Sequence, residues 1–193
     1  MQSVLRERLL TQAFQLAAIS GAYHASGQDF VAAYTTWLSE TEEALAGLRS
    51  PLVVILQAEK SLVTAVLDGY LPENIQNGKS LRKIQKAAAA QSMEKVSREI
   101  YAKIEAIDHA FAALNESLCQ ALAVLATRQP EALRDLPITQ AGADRVWALL
   151  GQLPETIPMR NYVGAKLDAV DRSYILLDVI QKFTSNQAAV NGS

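Results

Sequence analysis

The chain has 193 residues, 50% of them apolar, with 18 basic and 20 acidic side chains and a formal net charge of -2. That length and apolar content are enough for one packed core and exclude a disordered chain, while the near balance of charge removes any global pull toward nucleic acid or anionic membrane. A single cysteine, Cys119, excludes an internal disulfide framework and two histidines leave little material for a zinc site, so the composition reads as that of a reducing compartment, the cytoplasm.

Ala and Leu dominate the apolar half and Val-Ile-Thr alternation is scarce, which favours helix over sheet and predicts an all-α fold. Leu5, Leu9, Ala13, Leu16, Ser20 and Tyr23 recur at helical spacing and predict a first helix from about Ser3 to Tyr23. Thr11, Gln12, Gln15 and Ser20 interrupt its apolar run, which argues against a secretory leader, and the sequence is not expected to supply the ~20 apolar residues of a membrane span.

After Gly27, Ser26 with Asp29 resembles a capping box, and Phe30, Tyr34, Trp37, Thr41, Leu45 and Leu48 form the inward face of a second helix. Ser50-Pro51 opens a third, in which Leu52, Ile55, Leu56, Leu62, Val63, Val66 and Leu67 make a wide apolar face suited to a central position. Asp68-Gly69 provides its left-handed stop, and Pro72 and Asn77-Gly78 mark the connection that follows.

Between Lys79 and Gln129 there is neither Gly nor Pro. Val96, Ile100, Ile104, Ile107, Phe111, Leu114, Leu118, Leu122 and Leu125 are spaced by three or four positions, so they line one side of a helix. The stretch forms either one rod of roughly 75 Å or two arms bent near Gln91, where Ser92 and Glu94 offer a fresh cap. Pro130 ends it. A short turn over 130–135 follows, then a helix capped by Thr139 and running to Gly151, and a loop from Leu153 to Met159. The last helix carries Val163, Leu167, Val170, Tyr174, Leu177 and Ile180 on one side, with Ile175, Leu176, Val179 and Phe183 beside them. The expected architecture is a single domain over 1–183, a bundle of about five or six mostly antiparallel helices organised around 79–128, with a frayed tail at 184–193.

Lys79, Arg82, Lys83 and Lys86 occupy i, i+3, i+4 and i+7, a basic stripe suited to phosphates or an acidic partner. Gly78-Lys79-Ser80 matches the end of a phosphate-binding loop, yet the earlier glycine position holds Glu73 and no strand precedes it. Catalytic constellations each lack a member. A di-iron carboxylate bundle needs Glu three residues before His, where this chain has Gly21 and Ala106. No Arg stands in the window before His24 or His109 that a HEPN-type ribonuclease uses, and a histidine phosphotransfer domain would want Lys where Gly27 and Ala112 stand. No Gly-x-Ser-x-Gly elbow is present, and Cys119 has no basic neighbour in sequence to activate it. Asp168, Asp171 and Asp178 suit a charged outer helix face better than a cation site, and Tyr162, Tyr174, Trp147 and Trp37 suit core or interface volume.

These residues point to no catalytic group, cofactor or metal. They favour a non-catalytic protein acting through helix faces on a protein partner or on a second copy of itself, as an adaptor, regulator or assembly factor. A homodimer is the expected form, with the small surface of Ala87 to Ala90 and a protruding basic arm as its contact. Nucleic-acid binding through the basic stripe is the alternative, and a small-molecule receptor or enzyme with an interhelical pocket is the third.

Overall fold

The computed structural model describes residues 1–25, 27–70, 80–133 and 136–191. The segments are α1 (Gln2–Ala25), α2 (Gly27–Ala46), α3 (Leu52–Leu67), α4 (Leu81–Arg128), a 3-10 turn (Pro130–Leu133), α5 (Gln140–Leu150), α6 (Ile157–Lys166) and α7 (Ala169–Asn191). No strand occurs among the described residues, so the fold is an all-α bundle, with α4 as its long central helix.

The Gly- and Pro-free stretch is a single helix of 48 residues. Its apolar row is a packing seam: eight of the nine positions named above are buried and Phe111 is half-buried against the same core. Ser92 does not start a new helix. Its hydroxyl is buried and lies 2.9 Å from the Tyr34 hydroxyl, so it serves a contact with α2 and is not spent on capping a broken backbone.

Contacts divide the chain into two compact units, Val4–Ala106 and Met1–Ser3 with Ile107–Ser193, and α4 contributes to both. In the first, α2 packs on α3 across a tight turn. Phe30, Tyr34, Trp37, Leu38 and Leu45 from α2 and Leu52, Leu56, Val63 and Val66 from α3 are buried, together with Leu5, Leu9, Ala13 and Leu16 from α1. Tyr34 is stacked 6.3 Å from Phe30 and 5.9 Å from Trp37, while Tyr23 meets Phe30 edge-on at 5.1 Å.

The termini of α2 and α3 are specified locally. Ser50 N donates to Leu45 O at 3.2 Å, which places Arg49 in the left-handed region at φ 52. At the end of α3, Tyr70 N donates to Ala65 O and Gly69 N to Val66 O, with Gly69 at φ 92, so Asp68-Gly69 is the stop that its residue types suggest. Ser50 Oγ accepts from Leu52 N at 3.4 Å ahead of α3. The Ser26 and Asp29 capping pair lies outside the residues whose side chains are described.

Helix α3 is not central. Val54 is 69% exposed and Leu62 45% exposed, whereas Glu59 is buried and paired with Lys95 on α4 at 2.6 Å. Its wide apolar face is shared between core and surface, since the charge pair takes part of the inward side.

In the second unit, Leu114, Leu118, Ala121, Leu122 and Leu125 of α4 form one core with Val146 and Leu150 of α5, Val163 of α6, and Ile175, Leu176, Val179 and Ile180 of α7. Thr139 Oγ1 accepts from Gly142 N, and a Cβ on Gly142 would stand 1.9 Å from Pro137 O, so this first turn of α5 admits glycine alone. The expected 153–159 loop already includes the start of α6, because Pro158 lies in the first turn, where its missing N–H breaks no helical bond.

The final apolar segment is two helices, which raises the count above the expected five or six. Leu167 is extended at φ -120 and ψ 138, and the Asp168 carboxylate accepts from Asp171 N at 2.9 Å to begin α7. The break resets the helical phase, leaving Val170 and Tyr174 largely exposed although a continuous helix would have aligned them with Val163 and Leu167. At its other end α7 continues to Asn191, past the tail expected from Thr184, with the Thr184 and Ser185 hydroxyls bonded back to Ile180 O and Gln181 O.

Asp171 is the principal buried charge of this unit. It accepts from Gln2 N at 2.6 Å and from Ser3 N and Ser3 Oγ at 2.8 and 2.6 Å, capping α1 from α7. Burial pushes its carboxyl upward, but the Ser3, N-terminal ammonium and Gln2 donors together hold it below its ordinary value of 3.8.

Two outcomes follow from these geometries. Arg49→Gly is expected to raise stability by about 1 kcal/mol in urea denaturation, because glycine removes the Cβ cost of the left-handed position. Asp171→Asn is expected to cost about 2 kcal/mol at neutral pH. A carboxylate with a depressed folded pKa contributes stability that is present above its unfolded value and lost as pH falls through the folded one. The gap between wild type and Asp171→Asn in acid titrations followed by circular dichroism should therefore close below about pH 4.

Candidate functional site

Three of the four residues of the basic stripe fall on described parts of α4, and they differ in exposure. Lys79 lies outside the described residues. Arg82 and Lys83 are exposed at the start of α4, whose first turn is set by Lys83 N and Ile84 N bonding to Ser80 O. Lys86 is drawn inward: its Nζ donates to Tyr23 O at 2.8 Å and lies 4.0 Å from the Tyr23 ring centroid. A cation on the last carbonyls of a helix is electrostatically favoured, so Lys86 completes the C-terminal end of α1.

This arm of α4 does not protrude, because Ile84 and Ala89 are buried. Ala87 stays exposed, but Ala89 is fully covered within the unit, and the small surface proposed for close helix approach is partly used inside the fold.

A different surface emerges on α3. Val54, Ala58 and Leu62 stand at i, i+4 and i+8 and all face outward, with Tyr70 74% exposed just beyond the helix. Alongside, Glu42, Gln57, Lys60, Ser61, Thr64, Ala65, Asp68 and Tyr70 line an open groove of about 490 Å³. Glu42 accepts from Lys60 at 2.9 Å and from Gln57 at 3.0 Å, and the Lys60 contact is the main reason its carboxyl sits below the ordinary carboxylate value. The groove thus presents both signs of charge beside an apolar row. Behind it, the Tyr34 hydroxyl is pushed well above its ordinary value by burial; its bond with Ser92 opposes this and the Glu59 charge adds to it. That phenol is no acid-base group at neutral pH.

Of the remaining acids, Asp168 and Asp171 lie together and share the N-terminal ammonium, while Asp178 has partners of its own. Asp168 caps α7, Asp171 caps α1, and Asp178 pairs with Lys182 at 2.6 Å and accepts from Asn115 at 2.6 Å. No set of three or more His, Cys, Asp or Glu among the described residues is grouped to hold a metal ion. His24 lies among residues whose side chains are not described, and His109 is on the exposed side of α4. Cys119 is exposed and its Sγ lies 3.4 Å from Asn115 Oδ1. Desolvation holds its thiol above the ordinary value, with Asp178 and Glu116 adding to the rise against Lys182, the opposite of an activated nucleophile.

One cluster was invisible in the sequence. Arg160 of α6 and Arg172 of α7 lie 4.7 and 4.5 Å from the ring centroid of Trp147 on α5. The three residues are far apart in sequence and only the α6–α7 break brings both guanidinium groups onto one indole.

Helix α4 also carries a window with mean hydropathy 1.3, long and apolar enough by length and composition to cross a membrane, where no such segment was expected. Exposed alanines supply part of that hydropathy, namely Ala110, Ala112, Ala113 and Ala123, while the leucines of the same stretch belong to the core.

No family model, no curated protein and no solved structure matches this chain.

Charge reversal separates the two kinds of basic residue. Lys86→Glu is expected to lower stability by about 1–2 kcal/mol, while Arg82→Glu and Lys83→Glu stay within about 0.5 kcal/mol of wild type, as read by thermal or urea denaturation.

Proposed function

We propose that the chain is a non-catalytic interaction protein whose outward α3 face pairs with the same face of a second copy. The observation that carries this reading is the exposed row Val54, Ala58 and Leu62 with Tyr70 beyond it, a contiguous apolar strip on a helix whose other side is already packed. Complete burial of a side chain such as Val or Leu is worth about 1.5–3 kcal/mol, so two copies of such a strip offer enough to drive a weak association. A two-fold contact sets one patch against itself, and the groove beside the strip suits that arrangement, since Lys60 of one copy can meet Glu42 or Asp68 of the other. Asp168, Asp171 and Asp178 are engaged in capping and ion pairing and the Cys119 thiol is held above its ordinary value, which supports contact over chemistry as the protein's work. An aqueous, cytoplasmic setting accords with the burial of the α4 leucines in a protein core.

Light scattering at tens of micromolar should give twice the monomer mass for the wild type. Val54→Glu combined with Leu62→Glu should give the monomer mass with unchanged helical circular dichroism, since both side chains already face water. A wild-type monomer at that concentration, or a dimer indifferent to both substitutions, would sink the reading.

A further inference from the structure

We propose that Arg160, Arg172 and Trp147 form an oxyanion site in the second unit, built for a phosphate group on a small molecule. Two cations share one aromatic ring, with guanidinium carbons 4.7 and 4.5 Å from its centroid. The ring attracts each through its quadrupole, worth about 0.5–2 kcal/mol per contact, but it accepts none of their in-plane hydrogen bonds. Arg160 is fixed by Nε, which donates to Trp147 O at 3.1 Å, leaving its two terminal nitrogens unused. Arg172 makes no side-chain hydrogen bond or ion pair among the described residues, although it is half-buried.

Several acidic groups of this unit are engaged elsewhere, Asp144 among them through Gln140. Glu155 is paired with Arg128 at 3.0 Å, Asp168 and Asp171 cap helices, and Asp178 holds Lys182. Two half-buried guanidinium groups on one indole, neither paired with a carboxylate among the described residues, are complementary to an oxyanion. Arginine supplies planar, paired N–H donors that match phosphate oxygens.

Gly151 leaves room for the Arg160 guanidinium. A Cβ at Gly151 would lie 3.1 Å from Arg160 Nε, and one at Gly164 would lie 3.4 Å from Trp147 Cζ2. A side chain at Gly151 would crowd the guanidinium, whereas a Cβ at Gly164 would rest in ordinary contact with the ring. The exposed part of the indole then offers an apolar wall for whatever carries the phosphate. This site is independent of the α3 face and stands if that reading falls.

The test titrates inorganic phosphate, with acetate as the carboxylate arm and chloride to hold ionic strength constant. Calorimetry on the unaltered protein is the first readout, and Trp147 fluorescence in Trp37→Phe, where it is the sole indole, is the second. Saturable phosphate binding that weakens about ten-fold or more in Arg172→Gln and in Arg160→Gln, with circular dichroism unchanged, supports the site. Acetate binding as tightly as phosphate would overturn the phosphate assignment. No saturable response by either readout, or a response unchanged in Arg172→Gln, would overturn the site itself.

Discussion

Burial of one apolar row along α4 is the constraint on which the remaining structure depends. A helix of this length gains little from propensity alone, since ordering each residue costs about 1–2 kcal/mol of backbone entropy and isolated helices in water are marginal. Nine large side chains at three- and four-residue intervals change that balance, because each buried one returns about 1.5–3 kcal/mol. Val96, Ile100 and Ile104 contribute to the first unit, and Ile107 to Leu125 contribute to the second. The partners differ, with α1, α2 and α3 in one unit and α5, α6 and α7 in the other, but the periodicity that recruits them is the same.

Apolar burial is non-directional, so the seam alone would tolerate sliding of its neighbours. Directional contacts remove that freedom in the first unit, and α4 makes at least one to each partner helix. Lys86 bonds Tyr23 O of α1, Ser92 meets Tyr34 of α2, and Lys95 pairs with Glu59 of α3. Tyr34, Ser92 and Glu59 are buried, and losing one partner of such a pair leaves a desolvated group at a cost of about 1–3 kcal/mol. Shifting α4 by one residue would break all three contacts at once. In the second unit Asn115 to Asp178 plays the equivalent part between α4 and α7.

The helices were legible where side-chain period and termini agreed. The α4 seam, the Thr139 cap, the Asp68-Gly69 stop and the buried faces of α1 and α2 all follow from spacing and capping chemistry that act within a few residues. The break at Leu167 was hidden because its apolar pattern runs through both α6 and α7 at helical spacing; Asp168 three residues before Asp171 carried the capping signal, and reading those acids as surface charge concealed it. Helix α3 misled for a related reason. Its apolar residues exceed what one packed face can hold, and the buried Glu59 displaced them outward, a substitution that depends on Lys95 far away in sequence. The basic stripe was sound as a helical pattern, but whether Lys86 faces solvent depends on where α1 ends in space. The Trp147 cluster required three helices to be placed before it existed at all.

The distribution of spent and unspent polar chemistry narrows what the two units can do. In the first, charged groups near the surface are balanced: Glu42 holds Lys60, and the adjoining apolar strip is the feature left without a partner. Such a surface gains by excluding water and discriminates through shape and a few compensating charges. In the second, Asp168, Asp171 and Asp178 are engaged by helix ends and ion pairs, while Arg160 and Arg172 keep donors that no described residue accepts. Half-buried guanidinium groups are retained at a desolvation cost, and aromatic stacking offsets only part of it. On the readings proposed above, the first imbalance would be relieved by another apolar surface and the second by an anion, so the two units would answer to ligands of different chemistry even though one helix runs through both.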